Sequence, residues 1–310
     1  MFYRWRRAFA ARRFNRRIAG IFATPPLRLI EAPLSIVSMV SIADLPMYLL
    51  AIKSLYRRLR GGKVVAIITR ASPASLRRQL EAHVPGIEIV EIESIPVGAC
   101  QRGGTWERLL YIADRMEREY VIQLDSDTLT IGPDIPEVAA CVAENRSFVL
   151  GGGPAASGQH IVSMTEAAAS IDFVSSYIGI VAQRRLDAYP DAHSLRYVRG
   201  SSAFAGFARD SCSRRKIEEF HHTMAGLIGA RWTEWGTEQC ASNFAIANAS
   251  GATVLPWPDY ANFQPARSPE RARFLHFLGA VRYEKGCYVR LARQAIPRIA
   301  MEKGNEVAGQ

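Results

Sequence analysis

Residues Tyr120–Thr130 read YVIQLDSDTLT. Val121, Ile122 and Leu124 form a short apolar run rich in branched side chains, with charge before it and Gly132-Pro133 after it. Such a run predicts a buried parallel strand ending in carboxylates. Ligands of open α/β sheets bind beyond the carboxyl ends of strands, so Asp125 and Asp127 are expected at the functional edge. If the strand continues through them, period-two alternation turns both to one side. Two hard carboxylate oxygens placed there suit Mg²⁺ or Mn²⁺, and such an ion can hold a diphosphate. A D-x-D pair is also ordinary turn chemistry after a strand, so the surrounding chain has to decide between the two.

Upstream, apolar runs alternate with helical patterns. Residues 34–41 (LSIVSMVS), 63–69 (KVVAIIT) and 87–92 (IEIVEI) read as strands. Between them, Asp44 to Arg58 carries Leu45, Tyr48, Leu49, Ile52 and Leu55 on one helical face. A second helix opens at Ser72-Pro73, with the proline in its first turn, and a third runs from Thr105 to Arg118. Strand–helix alternation predicts βαβ units and a single Rossmann-like α/β domain with a mostly parallel central sheet. Downstream the regularity changes. Arg146–Leu150 reads as a short strand running into the loop Gly151-Gly152-Gly153-Pro154, which matches no phosphate-binding glycine motif. A helical region over 163–188, a strand over Ser201–Arg209, helices near 212–228 and 237–249, and short strands near 252–256 and 273–277 follow, with Pro256, Pro258 and Pro265 breaking up the last interval.

The chain has 310 residues, is 48% apolar and carries a net charge of +10. That is enough chain for a sizeable core. Eight arginines and no acid lie in residues 1–30, so most of the excess charge belongs to that segment. Three segments are expected: a basic arm over 1–32, the α/β domain over 33–285, and a helical tail over 286–310. Phe2, Trp5 and Phe9 share one helical spacing and Phe14, Ile18 and Ile21 another, on opposite sides, so one clean amphipathic helix is not expected. Interleaved arginines and aromatics suit an anionic membrane surface, and equally a solvated arm or a transit peptide. No nucleic-acid-binding motif accompanies the charge, so no nucleic-acid partner is expected. Five scattered cysteines without a CxxC pair fit reduced thiols and a cytoplasmic location, with peripheral membrane contact through the arm. No run approaches the ~18–20 apolar residues of a membrane-spanning helix.

Phe274–Arg282, FLHFLGAVR, is the second informative stretch. His276 ends an apolar strand, and an imidazole can complete a Mn²⁺ site begun by carboxylates. Gly279 permits close backbone approach, and Arg282 supplies a cation that can grip phosphate.

With these pieces together, the chain resembles the nucleotide-sugar glycosyltransferases of the GT-A fold, most closely the glycogenin and galactosyltransferase-like group called family eight. LDSDTLTIG resembles that family's strand-plus-D-x-D segment, and HFLGAVR its H-F-x-G-x-x-K element. Gly236–Asn243, GTEQCASN, resembles its D-Q-x-x-x-N segment. The resemblance implies a GT-A fold and a metal-dependent hexosyl transfer from a nucleotide-diphosphate sugar, with UDP as carrier, to a saccharide or lipid-linked hydroxyl. It implies that Asp125, Asp127 and His276 hold Mn²⁺ (or Mg²⁺), and that Arg108, Ser126, Gly279 and Arg282 contact the donor. Glu238 and Gln239 fall at the family's catalytic segment. Where the family has Asn or Asp after the first strand to meet the base, only Ser41 and Asp44 stand here. The family's N-x-G strand segment becomes Phe204-Ala205-Gly206, and Glu238 stands where Asp is usual.

Trp232, Trp235 and Trp257 are candidates to stack on an acceptor sugar, with core burial expected for at least one. Glu234 is a further acid/base candidate. Glu218, Glu219, His221 and His222 read as a solvated or structural helix face, because adjacent side chains on a helix diverge. Three rival functions remain: a haloacid-dehalogenase-type phosphatase, which wants Thr or Val where Leu129 stands; a sugar-1-phosphate nucleotidyltransferase, which wants a basic glycine-rich loop near Ser41–Pro46; and a catalytically silent nucleotide-sugar-binding protein.

Overall fold

Alternating strand and helix patterns become a layered sheet in the computed structural model, which describes residues 2–59, 61–153, 159–279 and 281–301, with side chains from residue 9 onward. The strands are β1 (Leu34–Met39), β2 (Lys63–Ile68), β3 (Glu88–Glu91), β4 (Tyr120–Leu124), β5 (Thr128–Thr130), β6 (Phe148–Gly151), β7 (Val162–Ser163), β8 (Arg196–Tyr197), β9 (Gly200–Phe207), β10 (Thr253–Leu255), β11 (Tyr260–Asn262) and β12 (Phe274–His276). The helices are α1 (Phe2–Arg17), α2 (Leu45–Leu59), α3 (Ala74–His83), α4 (Trp106–Arg115), α5 (Pro136–Ala143), α6 (Met164–Ala169), α7 (Ile178–Arg184), α8 (Arg214–Ile228), α9 (Thr237–Ala247) and α10 (Cys287–Met301).

Seven strands form the central sheet in the order β10-β6-β9-β4-β1-β2-β3. All its pairings are parallel except those of β9, which runs antiparallel between β4 and β6. The apolar runs are continuous because both faces are covered. Ile36, Val64, Ala66, Ile122 and Leu124 pack into one core, while Val37, Val65, Ile67 and Val121 pack into another. Period-two alternation thus divides each strand between two cores.

The D-x-D strand ends at its carboxylates and does not continue through them. Asp125 still pairs with β9 through its N–H to Ala203 O at 2.8 Å, but Thr128 Oγ1 then donates to Asp125 O at 2.8 Å and closes a turn. The chain leaves the main sheet as β5, which pairs antiparallel with β12 in a second sheet of order β11-β12-β5. That pairing sets His276 opposite Thr128, and Phe277 N–H donates to Asp127 O at 2.8 Å. Two motifs far apart in sequence are therefore joined by backbone.

Other differences are local. Pro73 precedes α3 as its cap and is not within its first turn. The helical region expected over 163–188 is two short helices, α6 and α7, and a 3₁₀ turn at Leu186–Ala188. β11 lies in the proline-rich interval where no strand was expected. The end segments pack against the same core as β1 and β4. Phe14, Ile18, Ile21 and Leu27 are buried there, as are Tyr288, Leu291 and Ile299 of α10, a helix of fifteen residues. The helical spacing of Phe14, Ile18 and Ile21 thus marks a buried face, whereas Phe9 is 69% exposed. The side chains of Phe2 and Trp5, the loop residue Pro154 and residues 302–310 lie outside the described residues. No described helix is long and apolar enough to cross a membrane.

Candidate active site

The carboxyl ends of β1 and β4, the start of α4, the turn before α9 and the end of β12 enclose a cleft of about 380 Å³. Asp44, Arg108, Asp125, Ser126, Asp127, Glu238, Gln239, His276, Gly279 and Arg282 all line it. Ser41 stands just outside, its hydroxyl 2.7 Å from Asp44 Oδ2. The positions singled out in the sequence therefore converge.

Ligand atoms of Asp125, Asp127 and His276 lie within 4.8 Å of one another. Each aspartate has its own arginine: Arg108, only 3% exposed, donates to Asp125 Oδ1, and Arg282 donates to Asp127 Oδ2. His276 Nε2 is 3.5 Å from Asp127 Oδ1. Its other nitrogen, Nδ1, is 2.7 Å from Asn262 Oδ1. The Asn262 amide is fixed by donation from Nδ2 to Gly151 O at 3.2 Å, so its oxygen faces the ring. Nδ1–H then donates to Asn262 and Nε2 is turned toward the carboxylates, the orientation of a metal ligand. Burial disfavours the Asp127 carboxylate, but its contact with His276, then the charge of Arg282, outweighs it and holds its carboxyl below the usual range. Two guanidiniums face three aspartates and Glu238 in the lining, a deficit of positive charge. Two carboxylates, one imidazole and that deficit fit a divalent cation such as Mn²⁺.

Glu238 sits behind this pair, 2% exposed. Its Oε2 accepts from Thr105 Oγ1 at 2.8 Å, its Oε1 is 3.9 Å from Arg108 Nη2, and Oε1 has no hydrogen-bond partner. Burial pushes its carboxyl up to about 7, against the pull of Arg108 and Thr105. Gln239 Oε1 lies 3.3 Å from Ser202 N and 3.4 Å from Ser202 Oγ. Ser126 Oγ donates to Met39 O at 3.2 Å, tying the D-x-D turn to the end of β1.

Some candidates lie elsewhere. Asn243 is buried, with Nδ2 donating to Gly200 O at 3.2 Å, and supports β9 from behind. Glu234 pairs with Arg231 at 2.6 Å on the surface and does not line the cleft. Of the tryptophans, Trp232 is core, Trp257 lies under Arg267 in another depression, and Trp235 stands 71% exposed at the cleft. His221 accepts from Trp232 Nε1 at 3.1 Å, as a structural helix face would. Thr105, Ser201, Ser202 and Leu278 line the cleft without having been singled out. Thr105 had a signal in the preceding Gly103-Gly104, because it caps α4 at a φ of 74°; hydroxyls on β9 carried none.

No family model matches the chain, and no curated protein matches it by sequence. Among solved structures, the apo form of WbbM, a bifunctional glycosyltransferase, is 14% identical, with a TM-score of 0.51, over 87% of this chain and 50% of that one. The glycosyltransferase GlyE of Streptococcus pneumoniae, in its apo form, is 12% identical, with a TM-score of 0.47, over 86% of this chain and 60% of that one. The mannosyltransferase Ktr4p of S. cerevisiae is 12% identical, with a TM-score of 0.40, over 94% and 93%. The chain spans half the length of WbbM. The WbbM likeness and the mostly parallel seven-stranded sheet define the class: the fold is GT-A-like.

Proposed function

We propose that the protein is a metal-dependent glycosyltransferase of the family-eight kind, which moves a sugar from a nucleotide-diphosphate donor, with uridine as base, to a hydroxyl of a saccharide or lipid-linked acceptor. The observation that carries this reading is the meeting of Asp125, Asp127 and His276 in one cleft with Arg108 and Arg282. The three ligands would hold Mn²⁺ or Mg²⁺. Such an ion, when bound, neutralises charge developing on the departing diphosphate.

The chain's own groups supply the rest. Arg282, with a guanidinium fork matched to phosphate oxygens, grips the diphosphate, and Arg108 holds Asp125 in place. Gly279 lets the backbone approach the phosphates, while Ser41, Asp44 and Ser126 face the nucleoside. Trp235 offers an acceptor sugar a stacking face. Glu238, poised near 7, takes the proton of the acceptor hydroxyl, with Gln239 beside it. The bond from anomeric carbon to diphosphate oxygen breaks, the diphosphate leaves with the electron pair, and the acceptor oxygen bonds to that carbon. The arginines of residues 1–30 support peripheral contact with an anionic, cytoplasmic membrane face.

Nucleoside-diphosphate release from a panel of nucleotide sugars, with Mn²⁺ and with chelator, tests the reading. Turnover with Mn²⁺ alone is expected, and full turnover in chelator removes the metal from it. A ligand at ~100 times its dissociation constant stabilises a fold by roughly 2–3 kcal/mol. A thermal-shift panel in which no nucleotide diphosphate stabilises the protein would remove the donor.

A further inference from the structure

A second depression, of about 320 Å³, opens where α1 crosses the segment between Arg282 and α10. Phe9, Phe14 and Val289 give it apolar walls, and Arg13 and Arg17 stand along one side. Arg282 lines both this groove and the cleft, so the two adjoin across one side chain. One wall of the groove is an aromatic cluster: Phe14 packs on Tyr283 and Tyr288, with ring centroids 5.4 and 4.7 Å apart. No carboxylate lines the groove, and among the described residues none pairs with Arg13 or Arg17. Phe9 is 69% exposed, an apolar ring left in water beside unpaired cations.

We propose that this groove binds the phosphate-bearing, single-chain end of a lipid-linked acceptor. The apolar walls take the chain, and Arg13 and Arg17 take the anionic linkage. The acceptor hydroxyl beyond the linkage then reaches the cleft past Arg282. This rests on the glycosyl-transfer reading above and names its acceptor class. A purely saccharide acceptor would leave the apolar wall without use.

Direct binding to the full chain tests it, with dodecyl phosphate below its micellar concentration as probe and dodecanol and inorganic phosphate as controls. Saturable binding of dodecyl phosphate is expected, with each control roughly tenfold or more weaker, because the cations and the apolar wall each contribute. Arg13→Glu with Arg17→Glu should weaken the probe by roughly tenfold or more, and Val289→Trp, which fills the groove, should do the same. Uridine-diphosphate binding with Mn²⁺ reports that both variants remain folded, and it should not change. No saturable binding of dodecyl phosphate overturns the proposal, as does equal binding by wild type and both variants. Capture of anionic vesicles without any binding of the monomeric probe overturns it too, in favour of a surface contact alone. Loss of nucleotide binding in wild type would count against the donor reading instead, leaving the dodecyl phosphate curve to decide the groove.

Discussion

His276 Nδ1 lies 2.7 Å from Asn262 Oδ1, and it is this contact that decides which ring nitrogen faces Asp127. The two residues are neighbours because β11 and β12 pair in parallel with Asn262 opposite His276. Asn262→Leu keeps the volume and removes the acceptor, so the ring loses its fixed orientation. Outer partners of this kind are typically worth 10–100-fold in metal affinity, and a Mn²⁺ dissociation constant raised by roughly that factor is expected by calorimetry. An unchanged constant would show that His276 does not depend on Asn262 or is not a ligand.

Asp127 holds both His276 and Arg282. Asp127→Asn keeps the shape and removes the charge. Metal-dependent binding of uridine diphosphate should be lost while the far-ultraviolet circular dichroism spectrum stays that of the wild type. Stability should fall as well, because Arg282 loses its charge partner inside a largely buried site. Retained Mn²⁺-dependent binding in this variant would exclude Asp127 from the metal site.

Arg282→Ala separates phosphate recognition from base recognition. Hydrogen bonds to charged groups contribute about 1.5–3 kcal/mol, so uridine-diphosphate binding should weaken roughly 10–100-fold. Uridine itself should bind as before. Equal losses for the two ligands would take Arg282 away from the diphosphate.

The central sheet was legible because both of its faces are buried. Val64, Val65, Ala66, Ile67 and Ile68 form an unbroken apolar run, and only a strand covered on two sides needs one. The site was legible as two short motifs, yet the means of joining them was not. Nothing local in TLT or FLH announces that Thr128 and His276 will be cross-strand partners in a second sheet. β11 was hidden because Pro256, Pro258 and Pro265 surround it, and local breaker signals outweigh a three-residue strand. Asn262 was invisible for the same reason. The role of Phe14, Ile18 and Ile21 as a buried face was obscured by the arginines between them, whose long side chains are exposed from the same helix.

The arginines of α1 also bear on membrane contact. Arg12 and Arg16 are exposed, and each basic residue near an anionic surface contributes about 1 kcal/mol. Arg12→Glu with Arg16→Glu should sharply reduce sedimentation of the full-length protein with phosphatidylserine vesicles, and added salt should do the same to wild type. Removing residues 1–30 is the poorer experiment, since it would also strip Phe14, Ile18 and Ile21 from the core. Wild type that fails to sediment at low salt would end the membrane reading.

Two buried groups give the stability curve opposite slopes in separate pH windows. Glu238 carries a carboxyl raised from 4.5 to about 7 by burial. Its contribution is fully present below 4.5, where both states hold the proton, and is lost as pH rises through 7. Between those values the folded chain keeps a proton the unfolded chain has released. Stability should therefore fall across that window by about 3 kcal/mol, at ~1.4 kcal/mol per pH unit. Glu238→Gln removes that fall. Lys53, whose ammonium donates to Thr24 Oγ1 at 2.9 Å and to Pro25 O at 2.7 Å, is lowered from 10.5 to about 8, by burial first and then by Arg57. Here the unfolded chain holds the extra proton between 8 and 10.5, so stability should rise with pH across that window. Lys53→Met removes that rise. Urea unfolding in chelator, from acid to alkaline pH, reads both slopes in one series. If the Glu238→Gln curve parallels wild type between 4.5 and 7, Glu238 is not the group that holds the proton.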